Sequence, residues 1–132
     1  MRSVCHTAGF IGHQVPVFEI RGVGGDATDL LVSTRELGEA LAKEIGDGPI
    51  VLMRGHGFTT VGASLRQAVF RAVYADINAR VQLKALQLGN IIYLTPDEAR
   101  VATSTDVAFD RAWDLWTSQV CAELPPLTDE EA

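Results

Sequence analysis

The chain has little sulfur: two cysteines in 132 residues, Cys5 and Cys121, at opposite ends. Thiols so far apart give no disulfide framework and no zinc knuckle, both of which need closely spaced cysteines. They fit a reduced, cytoplasmic setting. Basic residues are also few, 11 Lys and Arg against 17 Asp and Glu, for a net charge of −6, and they form no cluster. A phosphate backbone is repelled by such a surface, which excludes nucleic acid as a partner. No apolar run approaches the roughly 18–20 residues that a membrane-spanning helix needs. Met1-Arg2-Ser3-Val4 opens without the apolar stretch of a signal peptide. It also lacks the polar, capped opening of a complete domain, so the chain is expected to enter in mid-fold. Repeats and low-complexity segments are absent.

What is present is an ordinary globular balance, 47% hydrophobic and 21% charged, enough for one core. The mean hydropathy of +0.13 is high for a free monomer and implies apolar surface meant for another chain or another part of this one.

Hydrophobic patterning divides the chain into alternating strands and helices. Val15 to Arg21 alternates, Phe18 and Ile20 facing one way and Val17 and Glu19 the other, which predicts a strand with Pro16 at its start or edge. Gly22 to Asp29 reads as a loop. Ser33-Thr34-Arg35-Glu36 has the form of a capping box, opening a helix with Leu37, Ala40, Leu41 and Ile45 on one face. Ile50 to Met53 is short, apolar and β-branched, the pattern of a strand buried on both faces. After Arg54-Gly55-His56-Gly57 a second strand returns through Phe58 to Gly62.

Ser64-Leu65-Arg66-Gln67 caps a long helix, Leu65 to Leu88, closed by Gly89. Its apolar residues lie on most sides, so it should be central, covered by sheet on one flank and by helices or subunits on the other. Ile91 to Leu94 reads as a short strand. Thr95-Pro96-Asp97-Glu98 is a third capping box with proline at the first helical position. A last helix, Asp106 to Cys121, carries Phe109, Trp113 and Trp116. Residues 122–132 form an acidic tail expected to fray.

Chemistry concentrates at Arg54-Gly55-His56-Gly57. A histidine between glycines after a buried strand stands where side chains line crevices, and neutral imidazole ligates zinc or manganese well. By spacing alone, a lone histidine of this kind is more often a turn residue than a ligand. The whole stretch Val51 to Leu65, with the long helix behind it, resembles the class II aldolase/adducin family, and the resemblance runs from His6 to Leu94. In that family a strand ends in a histidine–glycine pair, a second strand ends in glycine, and a Ser-Leu cap starts the helix. His6 to His13 and Arg111 to Trp116 are similar to a narrower branch, the 3-hydroxy-2-methylpyridine-4,5-dicarboxylate decarboxylases.

The resemblance implies an α/β fold, three-layer-like (αβα), with a mainly antiparallel central sheet flanked by helices. Residues 1–121 would be the C-terminal portion of one such domain. It further implies a homotetramer acting on a small carboxylate or hydroxy acid, with a divalent metal, zinc or manganese, held by three histidines. That metal acts as a Lewis acid in breaking a carbon–carbon bond. His56 matches the third histidine. The family's upstream His-x-His pair and acid have no counterpart here, so the chain alone should bind metal weakly and turn nothing over. Where the family's aldolases often carry a proton-donating tyrosine this chain has Phe18, which favours decarboxylation of an aromatic or heteroaromatic hydroxy acid over aldol cleavage. The alternatives are a non-catalytic, adducin-like assembly module and a truncated gene product.

The remaining polar features have simpler readings. His6 and His13, seven residues apart across two glycines, have no preferred ligand geometry and are expected to line the cleft or the surface. Asp76, inside an apolar helical stripe, has Arg80 one turn on and should pair with it. Trp113 and Trp116 are core or interface anchors. Gly22 to Gly25 lacks the strand–GxGxxG–helix context of a dinucleotide site.

Overall fold

Three short strands carry the fold, and the links between them set their directions. The computed structural model describes residues 1–103 and 108–123. In it β1 (Val17–Phe18) is followed by one helical turn, α1 (Arg21–Gly24), and by α2 (Arg35–Ile45) before β2 (Ile50–Met53). A crossover through a helix brings the chain back in the same direction, so β1 and β2 pair in parallel, Val17 opposite Leu52 and Phe18 opposite Met53. Only three residues, Arg54 to His56, separate β2 from β3 (Gly57–Thr60). A link that short forces an antiparallel hairpin, with Ile50 against Thr60 and Met53 against Gly57. The sheet, ordered β1-β2-β3, is therefore mixed, which corrects the expectation of a mainly antiparallel one.

Helices cover the sheet on both faces. Ile50 packs with Ala8, Ile11, Val15 and Ala75 on one side. Val51 packs with Phe18, Ile20 and Leu37 on the other. Phe18 and Ile20 are buried while Val17 and Glu19 are exposed, as their alternation requires. α2 lays Leu37, Ala40, Leu41 and Ile45 on the second cluster. Its cap is Thr34 rather than Ser33: Thr34 has extended backbone, and its hydroxyl accepts from the Leu37 amide at 3.3 Å. The segment expected to be loop after Ile20 holds the α1 turn instead.

The long helix α3 (Leu65–Leu88) has the limits its sequence implies. Ser64 Oγ accepts from the Gln67 amide at 3.2 Å, and Gln67 reaches back to the Ala63 amide at 2.7 Å. Asn78, wholly buried on α3, was not singled out by its sequence. Its Oδ1 accepts from the Val4 and Cys5 amides at 2.9 and 3.3 Å, and its Nδ2 donates to the Arg2 carbonyl at 2.8 Å. One turn on, Gln82 Oε1 accepts from the Arg2 amide at 3.0 Å. These bonds stitch residues 2–5 onto α3. Cover runs out toward the end of α3, where Leu83, Leu86 and Leu88 are exposed.

No strand forms at Ile91–Leu94. Leu94 donates one backbone bond to the Ser3 carbonyl, but no ladder follows and Ile92 stands in solvent. α4 (Pro96–Thr103) begins with a reciprocal box: the Thr95 amide donates to Glu98 Oε2 at 2.8 Å, and the Glu98 amide to Thr95 Oγ1 at 3.2 Å. The bond from the Thr95 amide, with help from the Thr95 side chain, holds the Glu98 carboxyl below its ordinary range. α4 packs on the 3-10 turn His6–Ile11 so closely that a Cβ on Gly9 would lie 2.8 Å from both Ala102 Cβ and the Ala99 carbonyl. α5 (Ala108–Glu123) packs on α3 through aromatics. Phe109 meets Phe70 at 4.7 Å, Trp116 meets Tyr74 at 6.1 Å, and Arg66 lies over Trp113 at 5.7 Å. Both tryptophans are thus anchors. Asp106 and residues 124–132 lie outside the described residues, and Ala122 and Glu123, expected in the tail, are the last of α5.

Candidate functional site

His56 sits at the tip of the β2–β3 hairpin. Its amide donates to the Met53 carbonyl at 3.0 Å, closing the loop. Gly55 and Gly57 on either side have φ of 68° and 152°, values that glycine adopts without strain. A Cβ on Gly55 would also come within 3.2 Å of Leu30 Cδ1. The His56 ring is exposed and makes no hydrogen bond among the described residues. The hydrogen-bonded turn therefore presents an imidazole whose two nitrogens have no partner among the described residues.

Beside it lies an ionic cluster that sequence spacing does not show. The parallel register that sets Phe18 opposite Met53 puts Glu19 next to Arg54, and the Arg54 amide donates to the Phe18 carbonyl at 3.2 Å. Glu19 Oε1 accepts from Arg54 Nε at 2.9 Å and from Arg21 Nε at 3.0 Å. Its Oε2 accepts from Arg21 Nη2 at 2.8 Å. The side-chain hydrogen bond from Arg21, with further bonds from the Arg21 amide and from Arg54, outweighs an opposing desolvation and brings the Glu19 carboxyl from its ordinary 4.5 down to about 2. The same pair raises Arg21. The one available signal was Glu19 itself, a charge beside a predicted strand end.

The other histidines are elsewhere. His6 is exposed on the 3-10 turn and borders a hollow against α4 with Leu94 and Asp97. His13 lies 3.5 Å from Arg2 Nη2 and lines a cleft of about 480 Å³ with Phe10, Pro49 and Arg71. Pro49 precedes β2 and His56 follows it, so four strand residues, roughly 13 Å, separate the two places. Among the described residues no three His, Cys, Asp or Glu side chains converge as a metal site. One imidazole cannot hold zinc, which takes at least three protein ligands, so the residues present do not by themselves fit a metal. Phe18 is turned into the core. Asp76 pairs with Arg80 at 2.9 Å, as its spacing predicts. Among the described residues no helix is long and apolar enough to cross a membrane.

Comparison with known proteins agrees with the hairpin motif. The family model described as class II aldolase and adducin N-terminal domain matches residues 3–83. A Talaromyces stipitatus protein, decarboxylase tropJ, is 34% identical over 143 residues, covering 91% of this chain and 53% of its own length. The 3,4-dihydroxyphthalate decarboxylase of Arthrobacter keyseri is 37% identical over 83 residues, 63% of this chain and 30% of the relative. That of a Terrabacter species is 39% identical over 75 residues, 57% and 28%. The chain thus spans about half the length of the fungal relative and less than a third of the bacterial ones. With its matched stretch running from Ser3 through the His56 hairpin and along α3, the chain belongs to the class II aldolase/adducin family and is similar to its decarboxylases.

Proposed function

We propose that residues 1–121 are the C-terminal portion of a class II aldolase-type domain in a divalent-metal-dependent carbon–carbon lyase, and that His56 is one of its metal ligands. The observation that carries this reading is the placement of His56: an exposed, unpartnered imidazole on a glycine-bounded hairpin that continues the most buried strand. A turn histidine kept for stability would be expected to bond to something nearby. The reaction is decarboxylation of an aromatic or heteroaromatic hydroxy acid. In support, the relatives carry decarboxylase names, two of them with a dihydroxyphthalate as substrate. Phe18, buried and without a hydroxyl, removes the proton donor that aldol cleavage would use.

The metal is zinc or manganese, and its remaining ligands come from outside these residues, since the described ones do not converge. The exposed apolar end of α3 is the surface for the rest of the domain or for the further subunits of a homotetramer. A second reading, a non-catalytic adducin-like assembly module, has one observation in its favour, the same lack of converging ligands.

One experiment separates the two. A chimera would supply the parts of the Arthrobacter relative that lie outside the matched region, and carbon dioxide release from 3,4-dihydroxyphthalate would be measured with the metal present and chelated. The 132-residue chain should release none, and the chimera should release it only with zinc or manganese. Assembly of the chimera without metal-dependent turnover would overturn the lyase reading in favour of the module.

A further inference from the structure

We propose that Arg54 binds a carboxylate of the substrate and that Glu19 positions it; the substrate class rests on the decarboxylase reading above, the anion site on geometry alone. The ion pairs of Arg35, Arg66, Arg80 and Arg100 each match one guanidinium to one carboxylate. At the base of the His56 loop two guanidiniums share one. Arg21 commits Nε, Nη2 and its backbone amide to Glu19. Arg54 commits Nε alone, at 2.9 Å, and its two Nη groups make no bond among the described residues.

A guanidinium carries five N–H donors in a planar fork. With Nε tied to Glu19, the paired Nη groups are left without a partner among the described residues on a side chain that is 40% exposed, and they are the end that grips a carboxylate through two parallel hydrogen bonds. Charge points the same way. Glu19, Arg21 and Arg54 sum to one positive charge on a chain whose net charge is −6. A single anionic group neutralises the cluster. Arg54 and His56 flank Gly55, so their Cα atoms lie within about 7 Å. An aromatic acid held by Arg54 would then present its ring substituents on the His56 side of the loop.

Glu19 has a different part. As a carboxylate it competes with the substrate for Arg54; as a tether it holds the fork in place. The two roles predict opposite outcomes when it is removed, and the tether is the role assigned here.

The test is an NMR titration of the metal-free 132-residue chain, labelled with nitrogen-15, using phthalate as the probe and catechol as its carboxylate-free counterpart. Phthalate should shift the Arg54 Nε–H signal and the Gly55 and Gly57 amides, and catechol should leave them in place. Arg54→Ala should weaken phthalate binding about tenfold or more, the loss of one charge-assisted interaction, and Arg54→Lys should recover only part of it. Glu19→Ala should also weaken binding; tighter binding would strip Glu19 of its positioning role. Unchanged affinity in Arg54→Ala would sink the proposal and leave the His56 reading untouched. Intact phthalate binding beside a chimera that releases no carbon dioxide would do the reverse.

Discussion

At its start β2 is closed in on both faces, with Ile50 and Val51 buried against two separate clusters. Four residues on, at Arg54-Gly55-His56, the same strand runs into an exposed loop bounded by left-handed glycines and flanked by three charged side chains. Packing decides the first end and leaves no room for polar groups. At the second, backbone hydrogen bonds and charge pairs fix the loop without covering it, so its side chains are free to act on a ligand. On the proposed reading, stability and chemistry are separated along a single strand, and substitutions at the two ends should have different signatures.

The largest effect belongs to the buried end. Ile50→Ala should cost about 2–5 kcal/mol, through lost burial and the cavity left between Val15 and Ala75. Denaturant unfolding measures it, and a loss below about 1 kcal/mol would erase the contrast. Next comes Asn78, whose removal takes the partner from two amides and a carbonyl that are partly buried. Asn78→Ala should cost about 2 kcal/mol or more, with faster hydrogen exchange at Val4 and Cys5 and little change at Gly55 and Gly57.

These two residues also show what a sequence can and cannot disclose. Elements governed by neighbours in the chain were legible: both limits of α3, the Thr95–Glu98 box, the Asp76–Arg80 pair and the His56 turn all follow from residues within one helical turn of each other. Features that depend on how distant segments meet were not. The sheet proved mixed because α2 supplies a crossover between β1 and β2, while only a three-residue loop joins β2 to β3. Glu19 finds Arg54 through a parallel register 35 residues apart. Asn78 pairs with backbone amides, which carry no residue-specific signal. At Ile91–Leu94 the local pattern was misleading, since a β-branched run needs a neighbouring strand and none is beside it among the described residues. At the candidate site, the position of His56 on a glycine-bounded turn was legible and the ionic surroundings were not.

A smaller effect comes from pH at the open end. The Glu19 carboxyl titrates near 2 in the fold and near 4.5 when unfolded. Because the folded value is the lower one, the stability Glu19 contributes is complete above 4.5 and is lost as pH falls through 2. The Gly55 and Gly57 amide signals should shift with a midpoint close to 2, while Ile50 and Val51 signals stay put. A midpoint near 4.5 would mean that the two arginines do not hold Glu19. The stability change itself should be slight, since the cluster is exposed and screened by solvent.

The smallest change in stability should come with the greatest loss of function. Replacing His56 by alanine leaves no cavity in packed core, so it should cost under about 1 kcal/mol. Melting temperature and carbon dioxide release, measured together on the chimera with and without His56→Ala, test that separation directly. The account predicts a nearly unchanged melting temperature with turnover abolished. A lowered melting temperature with surviving turnover would contradict it and return His56 to the status of a turn residue.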